Sequence, residues 1–140
     1  MEIDPRGARF GAAIIVVVLA VVLVTGSAWL LAAQLVVFAV GAIAGLRYAP
    51  YGFVYRRLVR PRLGPPAHTE AEAPPRFAQG VGMVFAAAGV VCYATGVTPA
   101  GLAFTALALI AAFLNAAFDI CLGCQVYLFI HRNQRVRPSA

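Results

Sequence analysis

Cys121 and Cys124 stand three residues apart in the stretch DICLGCQVY, at the end of an apolar segment of about twenty residues whose one charge is Asp119. That spacing suits thiol–disulfide exchange, because one thiolate attacks a partner's disulfide and the second resolves the mixed disulfide that results. The same pair could supply half of a tetrahedral metal site, or pack as inert thiols. On one continuous helix the two side chains lie about 60° apart on one face. They would then occupy the C-terminal end of that helix, whose carbonyls disfavour a thiolate, unless Gly123 breaks the helix and a new N-terminus begins near Cys124. A metal would need further ligands from His131, His68 or a second copy of the chain, so neither a metal nor a cofactor is expected.

The elements that carry this pair belong to a lipid environment. Of 140 residues, 62% are hydrophobic and only 11% charged, with a mean hydropathy of +0.86, too much apolar surface for a water-soluble core of this size. Four apolar runs, at residues 10–24, 28–46, 78–95 and 100–120, predict an all-α polytopic membrane protein. The runs form two hairpins, turning at Thr25-Gly26-Ser27 and at Gly96-Val97-Thr98-Pro99. The whole chain, 1–140, is one membrane domain with a connector at 47–77 and a tail at 125–140.

All eleven arginines precede the first run, lie in the connector or follow the fourth run. Both short turns are uncharged, so the positive-inside rule puts connector, tail and both termini in the cytoplasm. Arginine used without any lysine suggests a G+C-rich bacterial genome, and hence a bacterial inner membrane. Arg6 and Arg9 before an apolar run ending in Gly26-Ser27-Ala28 also resemble a secretory signal, but the run is long for one and a second span follows at once. The net charge of +6 flanks spans and lacks a recognition motif, so the partner is the lipid bilayer and not nucleic acid.

The connector changes character along its length. YAPYGFVYRRLVRPRL interleaves Tyr48, Tyr51, Phe53 and Tyr55 with arginine, as in a segment lying among lipid headgroups. GPPAHTEAEAPP reads as a flexible linker kept in water by Glu70 and Glu72, with His68 solvated.

The hairpins echo each other, which suggests a parallel duplication: Arg9-Phe10 and Arg76-Phe77 open them, and Thr25-Gly26 and Thr95-Gly96 mark their turns. Gly52-Phe53-Val54-Tyr55 then matches Gly123-Cys124-Gln125-Val126-Tyr127 with one residue inserted. Gly41 and Gly45 form a GxxxG suited to close helix approach or to no special role. Gln34 and Asn115 are polar groups at membrane depth, expected in interhelical hydrogen bonds. Asp119 calls for an ion pair with Arg47, Arg9 or Arg76. Cys92 lies in the outer half of the third span, away from the pair, as an inert thiol.

IDPRGARF at the start, APPRFAQGVG at the third span and above all LNAAFDICLGCQVY resemble the bacterial membrane family known as domain of unknown function 4395, over nearly the whole chain. The resemblance implies the four-span architecture and singles out Cys121, Gly123 and Cys124. Members tend to be encoded beside thioredoxin-like and rhodanese-type sulfurtransferase proteins, which implies a cytoplasmic partner of one of those kinds. This chain lacks the N-terminal cysteine of many members, so a mechanism with a third, N-terminal thiol is not expected.

Three readings stay open: exchange of electrons or sulfane sulfur through Cys121 and Cys124, a structural or assembly subunit within a homo-oligomer or larger membrane complex, and a small transporter of sulfur species. No soluble-enzyme motif is present, neither a phosphate-binding loop nor a Ser-His-Asp set.

Overall fold

A computed structural model describes residues 2–67 and 69–136. His68 and residues 137–140, including Arg137, lie outside the described residues. The architecture is all-α apart from one clip, in which β1 (Glu2–Ile3) pairs antiparallel with β2 (Glu70–Ala71) and ties the N-terminus to the connector.

Each long helix starts and stops on local chemistry. Asp4 caps α1 (Pro5–Thr25) by accepting the Arg6 N–H at 2.9 Å, with Pro5 pre-set for the first turn. Gly26 closes α1 in the left-handed conformation, and Ser27 at once caps α2 (Ala28–Ala39) by accepting the Leu30 N–H. A π-helical turn carries α2 on to Ala44, where Gly45 at φ 119° ends it. Further along come a 3₁₀ turn (Leu46–Tyr48), α3 (Pro50–Val54), a second π turn (Tyr55–Val59), α4 (Arg60–Leu63), α5 (Ala73–Ala94), α6 (Thr98–Phe118) and α7 (Leu122–Val136).

Three helices, α1, α5 and α6, are long and apolar enough to cross a membrane. The second expected span is shorter than its apolar run, 17 residues from Ala28 to Ala44, because Gly45 turns the backbone before Leu46. α1 packs along α6, α2 along α5, and α5 also along α6. The core is one stripe per helix: Ile15, Leu19 and Val22 of α1 recur every three to four residues and meet Leu31 and Phe38 of α2, Ala86 of α5 and Ala108 of α6. Small residues let α5 come close to α2, since a Cβ on Gly82 would sit 2.7 Å from the Phe38 ring and one on Gly89 2.8 Å from Leu31. The opposite faces are apolar too, with Val17, Val21, Trp29, Val36, Ile110 and Phe113 exposed. A belt of that kind is costly in water and at ease in hydrocarbon.

Parts of the connector differ from the sequence reading. Glu72, expected in a solvated linker, is only 7% exposed and accepts the Leu46 N–H at 2.9 Å, so its carboxylate serves the backbone of the 3₁₀ turn. Tyr55, expected among headgroups, is 2% exposed because its hydroxyl has a partner inside. Gly41 and Gly45 do not form a helix-packing motif together: Gly41 faces the Gln79 side chain, and Gly45 lies outside any helix beside Glu72.

Candidate functional site

The segment around the cysteines is not one continuous helix. α6 ends in a left-handed cap: the Asp119 N–H reaches the Asn115 carbonyl, and the Ile120 N–H reaches back to Leu114, each at 3.1 Å. Asp119 holds the left-handed position (φ 58°) that glycine fills in most such caps. Three residues later α7 begins at Leu122, so the break falls at 119–121 and not at Gly123.

The break reverses the electrostatics expected for Cys121. Its carbonyl accepts the Gln125 N–H at 3.0 Å and its sulfur receives the Cys124 N–H at 3.2 Å, the bonding of a helix N-cap. Cys121 and Cys124 are joined as a disulfide, with Cα atoms 5.1 Å apart, and both are half-buried. Negative charge on the Cys121 sulfur would meet an amide donor and the positive end of the α7 dipole.

Gly123 has a different task from breaking a helix. A Cβ there would lie 2.6 Å from Ala78, so its bare backbone lets α7 lie against the first turns of α5. Tyr127 adds a ring contact with Phe77 at 5.8 Å, and His131 stacks on Tyr127 at 3.9 Å. His131 is thus engaged with an aromatic ring, and no group of three His, Cys, Asp or Glu able to hold a metal occurs among the described residues.

The other polar residues take separate positions. Asp119 is 67% exposed at its side chain and 4.0 Å from the Arg9 guanidinium, a contact worth little in water. Arg9 also donates to the Ala116 carbonyl at 3.1 Å and so covers the end of α6. Arg76 does the same for the end of α2, donating to the Ala42 and Ile43 carbonyls at 2.9 Å. Gln34 is 1% exposed, and its Oε1 accepts the Tyr51 hydroxyl at 2.7 Å, leaving Nε2 without a partner. Asn115 lines a cavity of about 980 Å³ that also borders Cys121 and Cys124. Cys92 is a free thiol near the far end of α5, about 20 Å along the helix from Ala78.

A second cluster, whose Asp4 and Tyr55 line that cavity, escaped the sequence reading. Asp4 accepts bonds from the Arg6 guanidinium at 3.0 Å and from the Tyr55 hydroxyl at 2.8 Å, and Arg6 reaches on to the Gly64 carbonyl at 2.9 Å. Burial works to raise the Asp4 carboxyl, but the bonds from Arg6 and Tyr55 outweigh it and hold the group below its ordinary value. Burial first, then the bond to Asp4, pushes the Tyr55 phenol up. The signal was present in Asp4-Pro5, a capping residue before a proline, which marks a helix start and would have placed Asp4 beside α1.

The family model for Domain of unknown function (DUF4395) matches residues 3–132, from the β1 clip through the disulfide to α7. The chain belongs to that family. No curated protein and no solved structure matches it. Within this DUF4395 chain the matched region contains Asp4, Tyr55, Cys121, Gly123 and Cys124 together.

Proposed function

We propose that this chain is a four-span protein of the bacterial inner membrane whose Cys121/Cys124 pair exchanges electrons or sulfane sulfur with a thioredoxin-like or rhodanese-like protein on the cytoplasmic side. The observation that carries the reading is the position of Cys121 at the N-cap of α7 with the Cys124 amide on its sulfur. Such a site favours a thiolate, the species that attacks and leaves in disulfide exchange. Cys121 therefore attacks first and Cys124 resolves. Neither sulfur is sealed in the core, so a partner can reach the pair.

The fourth crossing is Ala28–Ala44, whose 17 residues span about 25 Å, near the lower limit for hydrocarbon. The arginines at the ends of the bundle orient it with the disulfide toward the cytoplasm. Paired contacts support a parallel duplication. Arg9 covers the end of α6 and Arg76 the end of α2, while Phe10 meets Tyr55 and Phe77 meets Tyr127, each at 5.8 Å. Matching Tyr55 with Tyr127 needs no inserted residue: Ala49, which caps α3, then corresponds to Cys121, and Gly52 to Cys124. The chemistry belongs to one copy only.

The test is a Cys124→Ser variant expressed in its native membrane. It should accumulate a mixed disulfide through Cys121, from which the partner is identified by mass spectrometry. If nothing is captured and both thiols of the reduced wild-type protein resist alkylation, the pair is structural and the reading fails.

A further inference from the structure

We propose that the cavity beside the disulfide binds a membrane quinone, which takes up the electrons that pass through Cys121 and Cys124. The inference rests on the thiol exchange proposed above. An exchanging pair turns over only if something removes or supplies two electrons after each cycle, and the cavity is built for a lipid-soluble carrier of two. Its volume of about 980 Å³ falls at the upper end of small-molecule sites, which run from about 300 to 1,000 Å³.

Its lining is divided by depth. At one end are the disulfide and the side-chain amides of Gln79 and Asn115, half-buried and without a hydrogen-bond partner among the described residues. Unused N–H donors of that kind match the two carbonyl oxygens of a quinone ring. Deeper in, the walls are Ile15, Phe38, Phe85 and Ala111, with Ile15 about 15 Å along α1 from its first residue. That apolar depth receives the isoprenoid tail. Arg47, Arg56 and Arg60 also line the cavity and could meet a phospholipid phosphate, but a phospholipid accepts no electrons from the adjacent disulfide, whereas a quinone does.

The reaction balances. A partner dithiol first reduces the Cys121–Cys124 disulfide by exchange and itself becomes a disulfide. The two cysteine thiols then give up two electrons and two protons and re-form their S–S bond. The quinone ring accepts the electrons, each of its carbonyl oxygens gains one proton, and a quinol leaves.

The experiment uses the full chain in phosphatidylcholine nanodiscs, reduced with dithiothreitol and desalted. Decylubiquinone should be consumed with one quinol formed per disulfide regained, and no consumption should occur with the Cys121→Ser/Cys124→Ser variant. Ala111→Trp, which fills the apolar end, should slow quinol formation by about tenfold or more while leaving reduction of the disulfide by thioredoxin unchanged. As a check independent of turnover, decylubiquinone should raise the melting temperature of the oxidised wild-type protein and not that of Ala111→Trp. If wild-type protein is cycled by thioredoxin but neither consumes nor is stabilised by decylubiquinone, the quinone inference is overturned and the thiol exchange stands. Full-rate quinol formation by a folded Ala111→Trp variant overturns the assignment to this cavity. Failure to react with any dithiol removes both.

Discussion

A Cβ on Gly123 would lie 2.6 Å from both the Cα and the Cβ of Ala78, so α7 rests on α5 with no room for a side chain between them. Relief would require the backbone of one helix to move, carrying the neighbouring cysteines with it. Gly123→Ala should therefore cost about 1–3 kcal/mol of stability and slow disulfide exchange together. Gly80→Ala, on α5 two residues from Ala78, is the control, because its Cβ would meet Ala42 at an ordinary 3.9 Å. Thermal unfolding and thiol-exchange rates in nanodiscs check both; a fully active, fully stable Gly123→Ala protein would remove the packing argument.

Asp119 makes the expected ion pair with Arg9, and its backbone has a second role. Its exposed carboxylate is 4.0 Å from Arg9, while its φ of 58° closes α6 and frees Cys121 to cap a new helix. Asp119→Gly should be tolerated or slightly stabilising, because glycine adopts that conformation without strain, whereas Asp119→Val should lose about 1–2 kcal/mol or more. Denaturant unfolding of the two variants decides between backbone and charge. Equal losses in both would restore the ion pair as the reason for the residue.

These two positions also show what could be read from the chain and what could not. Apolar runs near twenty residues and the turns at Gly26 and Gly96 lead directly to long apolar helices, three of them long enough to cross a membrane, since burial of backbone polar groups leaves few alternatives in lipid. The break before Cys121 was hidden because its left-handed residue is an aspartate, and aspartate in an apolar run first suggests a buried charge. The sequence offers a break only at Gly123; without the earlier one at Asp119 the cysteines fall at the wrong end of a helix, and the sign of the dipole at Cys121 is inverted. Glu72 and Tyr55 were misplaced for a similar reason: their partners, the Leu46 N–H and Asp4, are 26 and 51 residues away, beyond any local pattern.

Buried Gln34 and half-buried Tyr51 form a pair that should behave as a unit. The Tyr51 hydroxyl donates to Gln34 Oε1 at 2.7 Å, and the amide has no other partner. Tyr51→Phe leaves that oxygen unpaired in the core and should cost about 1–3 kcal/mol. Gln34→Leu alone strands the phenol, but the double variant removes both polar ends and should recover much of the loss. Unfolding free energies of the four proteins give the coupling directly, and strict additivity would mean that the bond contributes nothing.

Asp4 predicts a pH dependence whose direction follows from its contacts. Bonds from Arg6 and Tyr55 hold the carboxyl below its ordinary 3.8, so the folded chain favours the ionised form. The stabilisation is complete above 3.8 and is lost as pH falls through the lower folded value, when the protonated group no longer accepts from both partners. The difference between wild-type protein and Asp4→Asn isolates the one group. Asp4→Asn should melt lower at pH 7 and the gap should narrow steadily below 3.8; a gap that stays constant down to pH 2 would mean that the strap joining α1 to Tyr55 does not depend on the Asp4 charge.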